Sequence, residues 1–229
     1  MFNTFYWFFS HLGLMAVTTS FIFGFRYDAQ APIENLYFNV IIYVVFILVH
    51  IVMTMPLFKR LVFGQPQGTP FERRIYITVT IVTWLAVYAL HKPVPGIGFT
   101  MPFVIQFIGL CALLLSFFAF FEFANFSVLG SLLGVPGTEL SHTTGAETPL
   151  LTEGPYASVR HPMYRAFFFL AFSSLLIHFN TGQLLFAVLV AASFMGFAPF
   201  EERQLIKARG DEYREYMKKT PYRVFPGIW

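Results

Sequence analysis

Charge is scarce in this chain. Asp, Glu, Lys and Arg make up 12% of its 229 residues, against roughly 25% in a typical soluble domain, while 56% are hydrophobic and 20% aromatic. So few charges cannot cover a water-facing surface of this size. A soluble globular domain is excluded, and an all-α integral membrane protein is expected. Cysteine is nearly absent. The single residue, Cys111, rules out an intrachain disulfide and a CxxC metal or redox site, and reads as a small apolar packing residue. Lys and Arg are missing ahead of the first apolar run, MFNTFYWFFSHLGLMAVTTSF, and so is a clear small-residue cleavage site. That run reads as a retained first membrane helix and not as a signal peptide. No internal repeat or separate basic domain is present, so nucleic-acid binding has no support.

What the chain does have is apolar segments of membrane length. A helix crossing the hydrocarbon core needs about 20 mostly apolar residues. Residues 4–24, 37–55, 72–91 and 101–122 each meet this. The stretch 163–199 is too long for one crossing, and Asn180-Thr181-Gly182 breaks it, which predicts a helical hairpin of two shorter crossings. About six transmembrane helices result. Basic residues set the orientation. Lys59, Arg60, Arg73 and Arg74 follow the second span, and Arg160 and Arg165 stand at the start of the fifth. Arg203, Lys207, Arg209, Arg214, Lys218, Lys219 and Arg223 follow the sixth, whereas the opposite side holds only Arg26 and Lys92. Both termini are therefore expected in the cytoplasm: at the inner membrane of a bacterium, or at the endoplasmic reticulum of a eukaryote.

Two cytoplasmic elements remain. Residues 123–162 are rich in Gly, Pro, Ser and Thr yet keep several leucines, which predicts a partly irregular segment folded over the cytoplasmic mouth of the bundle. The last helix is expected to continue to Arg209, break at Gly210, and give way to a short helix stopped by Pro221. Tyr213, Tyr216 and Met217 share one face of that helix by i, i+3, i+4 spacing. The organisation expected is a membrane part at 1–122 and a catalytic half at 123–229, with the amphipathic C-terminal helix capping a cofactor pocket.

Ionisable side chains at a membrane mouth are costly and usually functional. Arg160 and His161, in GPYASVRHPMY, stand at the start of the fifth span; Glu201 and Glu202, in FEERQL, stand at the end of the sixth. A hairpin makes these ends neighbours, so an Arg-His/Glu-Glu cluster is expected, either as a structural ion-pair group or as a ligand site. His11, His50 and His91 show no metal-ligand spacing, and no metal is expected.

GPYASVRHPMY, then a helical hairpin, then FEERQL and GDEYREYMKKTP, resembles the isoprenylcysteine carboxyl methyltransferase family, membrane enzymes that use S-adenosyl-L-methionine. The matching core runs from about Thr148 to Pro226. Upstream, HIVMTMPLFKR and FERRIYITVTIVTWLAVY are similar to a bacterial branch containing methanethiol S-methyltransferases and NnrU-like proteins. The resemblance implies a cofactor site with three walls. Thr148, Pro149, Leu150, Leu151 and the ring of Tyr156 form one, and His161, Pro162, Met163 and Tyr164 the second. Glu201 approaches the cofactor's amino group or ribose from the last helix. Catalytic roles are expected at Glu202, Arg160 and His161, with Glu202 or His161 as the base for a thiol acceptor.

Two departures qualify this. Arg165-Ala166 stands where the family has glycine two residues after the second tyrosine. Phe197 occupies the position of an arginine that holds the substrate carboxylate in the isoprenylcysteine branch. A carboxylate beside Phe would be poorly accommodated, which favours a neutral or thiol acceptor, small or lipophilic and reached from the bilayer, over a prenylcysteine carboxylate. Sterol reductases share an RHP-Tyr motif and bind NADPH, giving one alternative; a non-catalytic membrane protein that kept the fold is the other.

Overall fold

The structure, a computed structural model, describes residues 2–64, 69–123 and 150–229. The helices are α1 (Phe2–Phe23), α2 (Glu34–Thr54), α3 (Pro56–Phe63), α4 (Pro70–Leu90), α5 (Phe103–Phe123), α6 (Pro162–Ile177), α7 (Thr181–Arg209) and α8 (Asp211–Lys219). A 3₁₀ turn at Gly154–Ala157 precedes α6. Two-residue strands β1 (Gly98–Phe99) and β2 (Phe179–Asn180) pair antiparallel. Most of the segment expected to fold over the mouth, including Thr148 and Pro149, lies outside the described residues.

Local chemistry sets the helix ends. Thr69 caps α4 by accepting from the Glu72 N–H at 3.1 Å, with Pro70 in the first turn, where its missing N–H costs nothing. Asn180 caps α7 by accepting from the Gln183 N–H at 2.9 Å. That cap places Thr181 and Gly182 inside α7, so the hairpin turns slightly earlier than the sequence suggests. Gly182 also lies so close to the Arg26 carbonyl that a Cβ would come within 2.5 Å of its oxygen. Gly210, with φ of 59°, ends α7 and lets α8 begin.

Side-chain bonds fix the helix directions. Tyr6 donates to the Arg74 carbonyl at 3.3 Å and Trp84 Nε1 to Ser20 Oγ at 3.0 Å, so α1 and α4 run parallel. The Asn39 amide donates to the Lys92 carbonyl at 2.7 Å, and His50 Nε2 lies 2.8 Å from Thr80 Oγ1, so α2 runs against α4. α6 packs most extensively on α5 and then on α7. Between these helices the core is built from Phe21, Phe25, Tyr43, Trp84 and Phe186. Gln183, fully buried among them, accepts from the Phe25 N–H at 3.0 Å and donates to Ser174. Outside, Phe8, Val45, Phe103, Val104, Leu115 and Val188 turn away from the protein. An apolar outer surface suits lipid and not water.

Among the described residues, three helices are long and apolar enough to cross a membrane: α2, α4 over Phe71–Leu90, and α7. Shorter apolar stretches occupy Phe8–Phe21, Phe103–Ser116 and Pro162–Ile177. The chain is thus a mostly helical integral membrane protein, and three spans among the described residues meet that measure where the sequence predicts about six.

Gly109 lets α5 and α6 approach: a Cβ there would lie 2.7 Å from Leu176 Cβ and 3.0 Å from the Ser173 carbonyl oxygen. Small residues at such contacts permit close helix packing in membranes. Gly109→Val should destabilise the protein by about 1–3 kcal/mol, the usual cost of overpacking. Thermal unfolding in detergent should show the lower midpoint.

Candidate active site

Glu201 and Glu202 are adjacent on α7, so helix geometry turns their side chains about 100° apart. They enter different environments. Glu202 is only 2% exposed and turns toward the hairpin and the C-terminal segment. Its Oε1 accepts from Arg160 Nε at 2.7 Å and lies 3.2 Å from His161 Nε2; its Oε2 accepts from Arg223 Nε at 2.9 Å. The Glu201 side chain keeps 32% exposure. Its Oε2 accepts from the Tyr164 hydroxyl at 2.6 Å and lies 3.5 Å from His161 Nδ1.

His161 therefore sits between two carboxylates, one at each ring nitrogen. Burial acts to lower its pKa, but the hydrogen bonds and negative charges of Glu201 and Glu202 outweigh burial and raise it above 6.5. The shift favours the protonated ring, the form that can donate from both nitrogens. It stacks on Tyr164 with centroids 4.9 Å apart, and Tyr164 stacks in turn on Phe194 at 4.5 Å. Pro162 opens α6 directly after His161, fixing the turn that aims the imidazole across to α7.

The C-terminal segment is part of the cluster. Arg160 N–H donates to the Tyr222 carbonyl at 2.9 Å and His161 N–H to the Arg223 carbonyl at 2.7 Å. Arg160 Nη1 reaches the Thr220 carbonyl at 2.7 Å. The N–H groups of Arg223, Val224 and Phe225 converge on the Trp229 carbonyl oxygen at 3.0–3.1 Å, and the Arg223 guanidinium lies 5.4 Å from the Trp229 ring centroid. This loop aims Arg223 at Glu202. On α8, Tyr213 and Tyr216 bury their rings with Leu205 of α7, and Leu150, Tyr156 and Met217 pack around them. The Tyr216 hydroxyl donates to the Tyr156 carbonyl at 2.8 Å, tying α8 to the 3₁₀ turn. Burial, then the negative charge of Glu201, push the Tyr156 phenol well above its ordinary range, so it stays neutral.

Of the residues singled out in the sequence, the structure gathers Arg160, His161, Tyr164, Glu201 and Glu202 directly, with Tyr156 nearby. Pro162 is buried, and Leu150, Leu151 and Met163 are partly buried. Arg160 and Glu202 are ion-paired inside the protein, and both Glu202 oxygens are engaged. Sequence reasoning missed Arg223 and the Thr220 carbonyl as members. It also counted Lys59 and Arg209 simply as orientation charges, yet both are buried.

An open pocket adjoins the cluster. Its walls come from α2, α3, α4 and α7, and Glu201 is the one predicted site residue among them. Phe197, predicted beside the acceptor, lines it with Phe200. Lys59 of α3 and Glu72 of α4 pair there at 3.0 Å, both buried.

Comparison with known proteins agrees with the resemblance read from the sequence. The isoprenylcysteine carboxyl methyltransferase (ICMT) family matches residues 114–207, which carry the 3₁₀ turn, α6 and all but the last two residues of α7, with Arg160, His161, Glu201 and Glu202. Methanethiol S-methyltransferase 2 of Bradyrhizobium diazoefficiens is 26% identical over 198 residues, covering 83% of this chain and 73% of the relative. Methanethiol S-methyltransferase of Mycobacterium tuberculosis is 29% identical over 204 residues, covering 83% and 78%. Protein-S-isoprenylcysteine O-methyltransferase of Schizosaccharomyces pombe is 38% identical over 73 residues, covering 31% of each chain.

Two outcomes test the cluster. Glu202→Ala leaves Arg160 without its buried partner and should cost about 3–5 kcal/mol, read as a lower unfolding midpoint in detergent. A raised His161 pKa stabilises the fold fully below about pH 6.5, the unfolded value, and that stability is lost as pH rises through the higher folded value. Midpoints measured from about pH 6 to 9 should fall over that window in the parent, and His161→Asn should remove this step.

Proposed function

We propose that this protein is an integral-membrane methyltransferase that moves a methyl group from S-adenosyl-L-methionine to a small or lipophilic thiol. The observation carrying the reading is the junction at Glu201 and Glu202, where a closed ion-pair group stands beside a partly exposed carboxylate inside the stretch shared with the ICMT family. Similarity to methanethiol S-methyltransferases over 83% of the chain favours a thiol over a prenylcysteine carboxylate, as does Phe197 at the pocket wall.

The residues fit that cofactor. Glu201 is held by Tyr164 and His161 yet stays partly exposed, so it can receive an ammonium or a ribose hydroxyl. Tyr156 is a neutral phenol with a ring half-buried beside it; aromatic faces attract cations. Leu150, Leu151, Met163 and the 3₁₀ turn supply apolar surface and backbone groups, with Thr148 and Pro149 adjoining in sequence. Bound there, S-adenosyl-L-methionine supplies an electrophilic methyl. The protein contributes position and exclusion of water. His161, its pKa raised by the two carboxylates, orients Glu201; Arg160, Glu202 and Arg223 hold the two helix ends and the C-terminal segment in place. With both Glu202 oxygens occupied, Arg160 and Glu202 act by positioning and not as acid or base.

Six crossings with both termini in the cytoplasm complete the reading. The shorter apolar stretches of α1, α5 and α6 cross alongside α2, α4 and α7, putting the cluster at the cytoplasmic mouth where the cofactor is available. The division at 122/123 separates scaffold from cofactor-binding half, although the adjoining pocket draws on both.

Calorimetry on detergent-purified protein tests the assignment. S-adenosylhomocysteine should bind and NADPH should not, and Glu201→Gln should weaken S-adenosylhomocysteine about tenfold, or 1.4 kcal/mol. Transfer of radiolabelled methyl to a panel of thiols, prenylcysteines and phospholipid amines should label thiols. Binding of NADPH alone would replace this reading with a reductase, and binding of neither with a non-catalytic protein.

A further inference from the structure

We infer that the pocket between α3, α4 and α7 binds the thiol acceptor, with the free carboxylate oxygen of Glu72 taking the thiol's proton while Lys59 balances the thiolate. This rests on the methyltransferase reading above.

The argument starts from helix capping. Thr69-Pro70-Phe71-Glu72 has the capping-box pattern, in which the glutamate ordinarily reaches back to the N-cap N–H. Here Thr69 caps as expected, but the Glu72 side chain turns away into the protein, where Oε1 meets Lys59 Nζ at 3.0 Å. Both residues are 6% exposed. Among the described residues, Glu72 Oε2 has no hydrogen-bond partner. Leaving a buried acceptor unmatched is destabilising, so a carboxylate held this way in a pocket wall is an acceptor awaiting a donor.

The surroundings specify that donor. Met53, Phe197, Phe200 and Leu205 line the same pocket, so its walls suit an apolar group. The charged groups facing Glu72 are Lys59, Arg73 and Glu201, with the Tyr76 phenol between helices; the Arg73 guanidinium lies 5.9 Å from the Tyr76 ring centroid. A small alkanethiol matches: its carbon chain meets the aromatic and thioether walls, and its S–H points at Oε2. In the proton step the S–H bond breaks, its electron pair stays on sulfur, and the proton joins Glu72 Oε2. The thiolate, which is the nucleophile, lies beside the Lys59 ammonium. Glu201, shared by pocket and cluster, brings this sulfur close to the proposed cofactor site.

Titration calorimetry with ethanethiol, ethyl methyl sulfide and mercaptoacetate tests the site on the full chain in detergent, with S-adenosylhomocysteine affinity measured separately. The parent should bind ethanethiol, and E72Q should lose at least tenfold in ethanethiol affinity with little change for the thioether, which has no S–H. S-adenosylhomocysteine affinity should hold within about twofold. If E72Q does not fold, the double variant K59M/E72Q removes both charges, which buried pairs often tolerate, and should show the same selective loss. Unchanged ethanethiol affinity in a folded variant, equal loss for thiol and thioether, or mercaptoacetate binding tighter than ethanethiol would each overturn the site. A parent that binds ethanethiol but not S-adenosylhomocysteine would instead retract the cofactor reading and leave the thiol site standing.

Discussion

A single buried carboxylate organises the end of this protein where α6 begins and α7 closes on the C-terminal segment. Glu202 receives Arg160 and His161 on one oxygen and Arg223 on the other, joining the start of α6, the end of α7 and the C-terminal loop. Buried ions are costly unless each is matched by charge and hydrogen bonds, and here the matching is extensive. Arg160 also bonds the Thr220 carbonyl, while its backbone and that of His161 hold Tyr222 and Arg223. Alternative placements of the C-terminal segment would strand at least one charge, which fixes a single arrangement.

Adjacent carboxylates with unlike surroundings are how a site separates structural from chemical work. Glu202 is closed on all sides, whereas Glu201 is held from behind by Tyr164 and His161 and remains partly open. His161, Tyr164 and Phe194 form a continuous ring stack that holds the imidazole in place. Lys59 and Glu72 repeat the contrast on the pocket's far wall: one carboxylate oxygen is paired, and the other has no hydrogen-bond partner among the described residues.

The helices and the principal cluster were legible because hydropathy and a hairpin turn are local signals. Asn180 marked the turn within a residue or so, and the hairpin made neighbours of His161 and Glu202. The continuation of α7 to Arg209, the break at Gly210 and the face of Tyr213 and Tyr216 were equally local. Arg223 was not legible as a cluster member, since its aim depends on a loop closed by backbone bonds to Trp229. Lys59 and Glu72 were hidden for another reason. Near a membrane mouth a lysine resembles an orientation charge, and only the packing of α3 against α4 shows it to be buried. The pairing of β1 with β2 left no pattern, because two residues are too few for alternation to register.

The most direct measurement of the central claim is an experimental structure of the full chain in a lipid nanodisc with S-adenosylhomocysteine bound. Density for the ligand beside Glu201, His161 and Tyr156, with Arg160 and Arg223 still closed on Glu202 and that group at the cytoplasmic mouth, is the result predicted here. A ligand bound elsewhere, or a C-terminal segment detached from Glu202, would contradict it.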